Sequence, residues 1–113
     1  MKEQFAACML RIYLGENDKW KGKPLYEAIV AKCQELGMVS AVVFRGIEGF
    51  GASTRIRHSS HWMFSQDAPM ALQVMDTEDQ IQKLIPHLDE MVGEGLIAMS
   101  RVEAIRYSRS DLT

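Results

Sequence analysis

The clearest alternation in the chain runs over residues 5–14, where Cys8, Leu10, Ile12 and Leu14 fall on one face and Met9, Arg11 and Tyr13 on the other. Period-two patterning of this kind predicts a half-buried strand. The segment Gly15-Glu16-Asn17-Asp18-Lys19-Trp20-Lys21-Gly22 breaks the pattern with glycines and charges and predicts a loop. An indole at Trp20 in such a loop needs cover, from the helix that follows, a neighbouring subunit or a ligand. Pro24 suits the first turn of a helix, and Leu25, Ile29, Val30, Cys33 and Leu36 then recur at helical spacing up to a stop at Gly37. Residues 39–45 read as a second strand.

From Gly46 to Pro69 no periodic element is legible, apart from a short extended piece near His61-Trp62-Met63-Phe64. A connection of that length inside a compact domain is usually functional or disordered, and Arg55, Arg57, His58 and His61 make this one cationic. Met70, Leu72 and Val74 against Ala71, Gln73 and Met75 predict a third strand ending at Asp76. Thr77 followed by Gln80 has the form of a capping box, ahead of a helical stripe of Ile81, Leu84, Ile85, Leu88 and Met91. Pro86 inside that stripe predicts a kink or a helix in two pieces. Gly93-Glu94-Gly95 ends it, Leu96 to Met99 predicts a fourth strand, and further strand follows from Val102 to Tyr107 after a break near Ser100. Residues 108–113 are polar and read as a frayed tail.

Strand, helix, strand, strand, helix, strand is the order of the ferredoxin-like βαββαβ fold, an α+β sandwich with two helices on one face of an antiparallel sheet. The other face carries Met9, Tyr13, Gln73 and Met75, too apolar in sum to face water, so other copies of the chain are expected to cover it. This fold hosts enzymes, RNA binders and sensors alike and does not decide the function.

Length and charge narrow the classes. The 113 residues make one domain, 1–113, with one core. A net charge of -2 argues against a nucleic-acid binder. No apolar stretch is long enough to insert in a membrane, and the first residues lack an apolar secretory core, so the expected location is cytoplasmic. Cys8 and Cys33, without a C-x-x-C pattern, read as buried thiols of a reducing compartment in preference to a disulfide.

The chemistry concentrates in Arg45-Gly46-Ile47-Glu48-Gly49-Phe50-Gly51-Ala52-Ser53-Thr54, which follows directly on the apolar run 41–44. Glycine lets a backbone approach a ligand closely, and successive N–H groups form nests for anions. The spacing is neither the dinucleotide fingerprint nor a Walker loop. His58 and His61 stand three apart without a companion cysteine or carboxylate at ligand spacing, so they read as solvated loop histidines and no metal is expected. Asp18, Glu48 and Asp76 form no identifiable nucleophile–base pair, which argues against an enzyme.

Four strings, Tyr13-Leu14-Gly15-Glu16, residues 23–30, residues 45–53 and residues 89–96, closely resemble the DUF190 family, over about Cys8 to Tyr107. DUF190 proteins resemble the PII signalling proteins, ferredoxin-like homotrimers that bind adenine nucleotides between subunits. The resemblance implies that Gly49-Phe50-Gly51 opens an effector loop at about 46–69, that Gly93-Glu94-Gly95 cradles phosphate, and that Arg106 on the final strand adds a guanidinium. The implied nucleotide-binding set is Arg45, Gly46, Gly49, Gly51, Ser53, Gly93, Glu94, Gly95 and Arg106. Leu96 stands where PII proteins continue with lysine and Ser108 where a second arginine follows, so AMP or ADP is favoured over ATP as effector, with no required cofactor. No tyrosine lies between Gly46 and Pro69 to match the modified tyrosine of some PII loops. The implied role is control of a partner protein through the loop, and a membrane transporter or channel is the kind of target PII proteins suggest. The alternative is a trimer similar to the CutA metal-binding proteins, using His58 or His61. An acylphosphatase-like enzyme would need an orienting asparagine, and Asn17, the only one, lies in the first loop.

Overall fold

The pairing around one long central strand, β1 (Lys2–Gly15), sets the architecture. The computed structural model describes residues 1–47, 49–51, 54–57 and 68–109. After β1 come a small pair, β2 (Lys19–Trp20) and β3 (Lys23–Pro24), helix α1 (Leu25–Glu35) and β4 (Ser40–Arg45). A second small pair, β5 (Gly49–Gly51) and β6 (Thr54–Arg57), precedes β7 (Pro69–Asp76), helix α2 (Glu78–Met91) and β8 (Leu96–Tyr107). Four of the strands form one sheet in the order β4-β7-β1-β8, every neighbouring pair antiparallel. This is the expected ferredoxin-like order.

The core lies between that sheet and the two helices. Leu10 and Ile12 of β1 and Leu72 and Val74 of β7 are fully buried against Ile29 of α1 and Ile81, Leu84 and Leu88 of α2. Each such side chain contributes about 1.5–3 kcal/mol of transfer free energy, so this layer dominates the folding. Register carries the alternation from strand to strand: Leu10 faces Val74, Ile12 faces Leu72, and Val74 and Leu72 face Ala41 and Val43 of β4.

The helix ends follow local chemistry. Pro24 is the residue before α1 and not in its first turn, with an extended ψ of 129°. At the other end the Met38 N–H donates to the Cys33 carbonyl (3.0 Å) and the Gly37 N–H to that of Gln34 (3.1 Å). Gly37 makes this Schellman closure with φ of 76°, which a side chain would strain. In α2 the Thr77 hydroxyl accepts from the Gln80 N–H (3.3 Å), one half of a capping box. The Gln80 side chain turns away from the other half and donates to the Leu36 carbonyl (3.2 Å), joining the start of α2 to the end of α1.

Asp76 is the buried carboxylate among the described residues. Its Oδ1 accepts from the Thr77 N–H at 2.6 Å and its Oδ2 from the Val39 N–H at 2.9 Å, so it ties the end of β7 to the approach to β4. Cys8 and Cys33 are buried and free, and burial pushes the Cys33 thiol up to about 11.

Several expectations need correction. β8 has no break near Ser100, because it pairs with β1 without interruption from Leu96 opposite Tyr13 to Tyr107 opposite Lys2. An edge strand exposes both faces in this chain, so its alternation is weak and backbone pairing alone carries it. The segment 15–22 is not simply a loop: β2 and β3 form a hairpin turning at Lys21 and Gly22, with φ of 51° and 79°. Trp20 is half-buried against the core, with the Lys21 ammonium 4.5 Å from its ring centre, so its cover comes largely from within the chain. The 46–69 connection holds the pair β5–β6, while the piece at 61–64 lies outside the described residues. α2 is one helix despite Pro86. Pro86 and Gln82 are both exposed, so water can solvate the carbonyl that loses its partner. At the C-terminus the Ser108 N–H donates to the Met1 carbonyl (2.9 Å), and residues 110–113 lie outside the described residues.

Asp76→Ala is expected to destabilise the protein by about 1–3 kcal/mol, because it strands two backbone donors; urea unfolding will show a lower midpoint at unchanged slope. Both thiols are expected to resist a thiol reagent at pH 8 in the folded protein and to react once it is unfolded, as a mass-shift assay will show.

Candidate functional site

One end of the sheet gathers most of the candidate residues. The row Phe44–Ala71–Tyr13–Leu96 crosses all four strands near that end, and just beyond it lie Gly15 and Glu16, Arg45 and Gly46, Ala68 and Pro69, and the turn 93–95. The two glycine-bearing segments nevertheless sit on opposite edges, one after β4 and one before β8. Three strand spacings separate those edges, about 14 Å.

Arg45 is held by a carboxylate. Its Nε donates to Glu16 Oε2 at 3.4 Å and its Nη2 to Glu16 Oε1 at 3.3 Å, and Oε1 also accepts from the Ala68 N–H at 3.3 Å. The Glu16 N–H donates in turn to the Ala68 carbonyl at 2.8 Å. Glu16 therefore joins the two ends of the 46–68 stretch, a role that neither its place in the charged segment 15–22 nor the Tyr13–Glu16 string signals in the sequence. Arg45 keeps 43% of its side chain exposed, so most of this pairing is solvent-screened.

The glycines divide by what surrounds them. The Gly46 N–H donates to the Pro69 carbonyl (2.7 Å), so it is already used. A Cβ on Gly46 would lie 2.9 Å from Pro69 Cγ, and one on Gly95 would lie 2.9 Å from the Tyr13 carbonyl oxygen. Both positions exclude a side chain for reasons of packing, before any ligand is considered. Gly93 has nothing within 4 Å of its Cβ position, and Glu94 beside it is exposed. Gly49 and Gly51 lie in β5, paired with Arg57 and Thr54 across an irregular register, so part of their backbone is committed to a strand. Ser53, His58 and His61 lie outside the described residues.

Arg106 is not brought to this end. It is exposed near the far end of β8, opposite Glu3, and ten residues of strand carry it roughly 34 Å from Leu96. Within one chain, Arg45, the turn 93–95 and Arg106 do not converge. The other β8 arginine, Arg101, pairs with Glu78 (2.8 Å), whose hydrogen bond and charge raise the Arg101 pKa. Among the described residues no helix is long and apolar enough to cross a membrane.

Gly95→Ala is expected to cost about 1–3 kcal/mol, since the methyl meets a backbone oxygen that cannot turn aside, whereas Gly93→Ala is expected to leave stability nearly unchanged. Denaturant unfolding of the two variants side by side checks the contrast.

Comparison with known proteins gives the fold and the family. A solved structure of the apo form of CPII from Thiomonas intermedia K12, a nitrogen regulatory PII-like protein, superposes with a TM-score of 0.65 at 12% identity, covering 95% of this chain and 100% of that one. CPII bound to ADP, AMP and acetate gives a TM-score of 0.63 at 12% identity, covering 90% of this chain and 91% of that one. A UPF0166 protein of Aquifex aeolicus (strain VF5) is 32% identical over 99 residues, covering 86% of this chain and 91% of the relative. The family model for DUF190, "Uncharacterized ACR, COG1993", matches residues 7–104. The chain thus belongs to the DUF190 family and has the fold of PII-like signalling proteins.

Proposed function

We propose that this protein is a PII-like regulator whose copies assemble edge to edge as a homotrimer and bind an adenine nucleotide, AMP or ADP, at the junctions. The observation that carries the reading is the split of the candidate residues. Arg45 and the turn 93–95 stand at the same end of the sheet but on opposite edges. A neighbour that sets its β8 edge beside β4 of this chain brings the two halves together around one phosphate group. Arg45 then supplies a planar guanidinium, and the turn supplies backbone N–H donors.

The exposed surface favours such a neighbour. β8 is a twelve-residue edge strand that leaves Leu96, Ile97, Met99 and Ile105 open to solvent, the kind of edge that soluble proteins cover or blunt. On the sheet face away from the helices, Val42 and Phe44 are 44% and 51% exposed. Burying both surfaces between copies takes these exposed apolar side chains out of water.

ADP and AMP in the CPII structure support the ligand class. Leu96 in place of a lysine and Ser108 in place of a second arginine favour a short phosphate chain over a triphosphate. Glu16 and Arg45 are paired with each other, an arrangement that suits binding better than catalysis. Control follows by linkage: a nucleotide that fits one arrangement of the 46–69 stretch better than another shifts the population toward it, and a cytoplasmic face of a transporter or channel is a target of the kind proposed. Ser53, Gly49, Gly51 and, from a further copy, Arg106 are the remaining candidates for ligand contact.

Isothermal titration calorimetry with AMP, ADP, ATP and cyclic AMP, with and without magnesium, tests the ligand. Saturable binding of AMP or ADP is expected, weakened about tenfold or more in Arg45→Ala through loss of a charge-assisted contact. Sedimentation equilibrium is expected to give a trimer; a folded protein that binds none of the four nucleotides overturns the reading.

A further inference from the structure

The bond pattern at Arg45 contains an internal occupant for an anion site. Three N–H donors converge on one carboxylate: Arg45 Nε and Nη2 at 3.4 and 3.3 Å, and the Ala68 N–H at 3.3 Å. Ala68 is fully buried, so its N–H has little access to water and needs an acceptor in whatever state the site adopts. Glu16 fills the cradle as a phosphate or carboxylate ligand would, with two oxygens shared among a guanidinium and a main-chain donor.

We infer that Glu16 is a built-in competitor for the anionic ligand: its carboxylate occupies Arg45 and Ala68 in the empty protein, and a phosphate oxygen of the incoming nucleotide takes over those donors. The inference rests on the reading that Arg45 serves a nucleotide, and adds a residue that opposes binding. All three contacts are long for charge-assisted bonds, and the Glu16 and Arg45 side chains are 23% and 43% exposed. Such a pair is weak enough to be displaced. A phosphate that accepts from both Arg45 and Ala68 leaves no buried donor unpaired, while the released Glu16 is free to reach solvent. The exchange also removes the side-chain tie between the two ends of the 46–68 stretch, leaving the Gly46–Pro69 and Glu16–Ala68 backbone bonds in place. Ligand occupancy is thereby coupled to how firmly that stretch is anchored.

Glu16→Gln separates competition from simple fastening, because the amide keeps the shape and an oxygen for the Ala68 N–H but loses the charge that holds Arg45. ADP affinity measured by calorimetry is expected to rise about three- to fivefold in Glu16→Gln, the range of an exposed ion pair. In an Arg45→Ala background the same substitution is expected to leave ADP affinity unchanged. That cycle excludes a long-range charge effect, which would persist without Arg45. Affinity that is unchanged or lower in Glu16→Gln, while the parent protein binds ADP, overturns the inference and leaves the proposed function standing. Equal gains in both backgrounds, or no ADP binding by a protein that does bind AMP, also overturn it, and absence of binding of any of the four nucleotides by every variant overturns the proposed function and the inference together.

Discussion

Pairing of β1 on both of its edges is the constraint on which the remaining structure depends. Eight residues of β1 pair with β7 and twelve with β8, and the same strand buries Leu10 and Ile12 completely against the helices. Because side chains alternate with period two, a slip of one residue on either side would turn that apolar set toward solvent. The register therefore fixes more than the core. It also fixes which residues share the row at the end of the sheet, Phe44, Ala71, Tyr13 and Leu96, and so where the glycine-bearing segments emerge.

From that geometry follows the division of the candidate site. The sheet is four strands wide, and the two segments leave it at opposite edges of one end. Nothing inside a single chain moves β4 next to β8, since β7 and β1 lie between them and carry the core. The proposal of a shared site is thus a consequence of sheet order. The same order makes β8 an edge strand with apolar residues open along it, which gives a second copy something to bury. The Glu16–Arg45 pair is the local counterpart: an exposed cation that, in the single chain, is neutralised from within.

Much of the fold was legible where burial imposes a period. Cys8, Leu10, Ile12 and Leu14 marked β1, Leu25, Ile29 and Cys33 marked α1, and Ile81, Leu84, Leu88 and Met91 marked α2; all of these are buried. Legibility failed where pairing acts without burial. β8 runs through Ser100 and Arg101 because its backbone bonds to β1, and no hydrophobic alternation announces it. The β2–β3 hairpin has two residues per strand, too few for any period. At the candidate site the sequence located Arg45 and the glycines but not their partners. Glu16 lies 29 positions from Arg45 and 52 from Ala68, separations that no local pattern encodes. Gly46 and Gly95 were read as anion-binding positions, yet close packing on Pro69 and Tyr13 already accounts for the absence of a side chain there. Arg106 was grouped with them by family resemblance, while strand length places it at the other end of β8.

The most direct test is a crystal structure of the protein grown with ADP. The account predicts nucleotide density at a junction between copies, with phosphate oxygens within hydrogen-bonding distance of Arg45 of one chain and of the 93–95 turn of its neighbour. Density confined to one chain, or a folded, assembled protein that takes up neither ADP nor AMP at saturation, would contradict it.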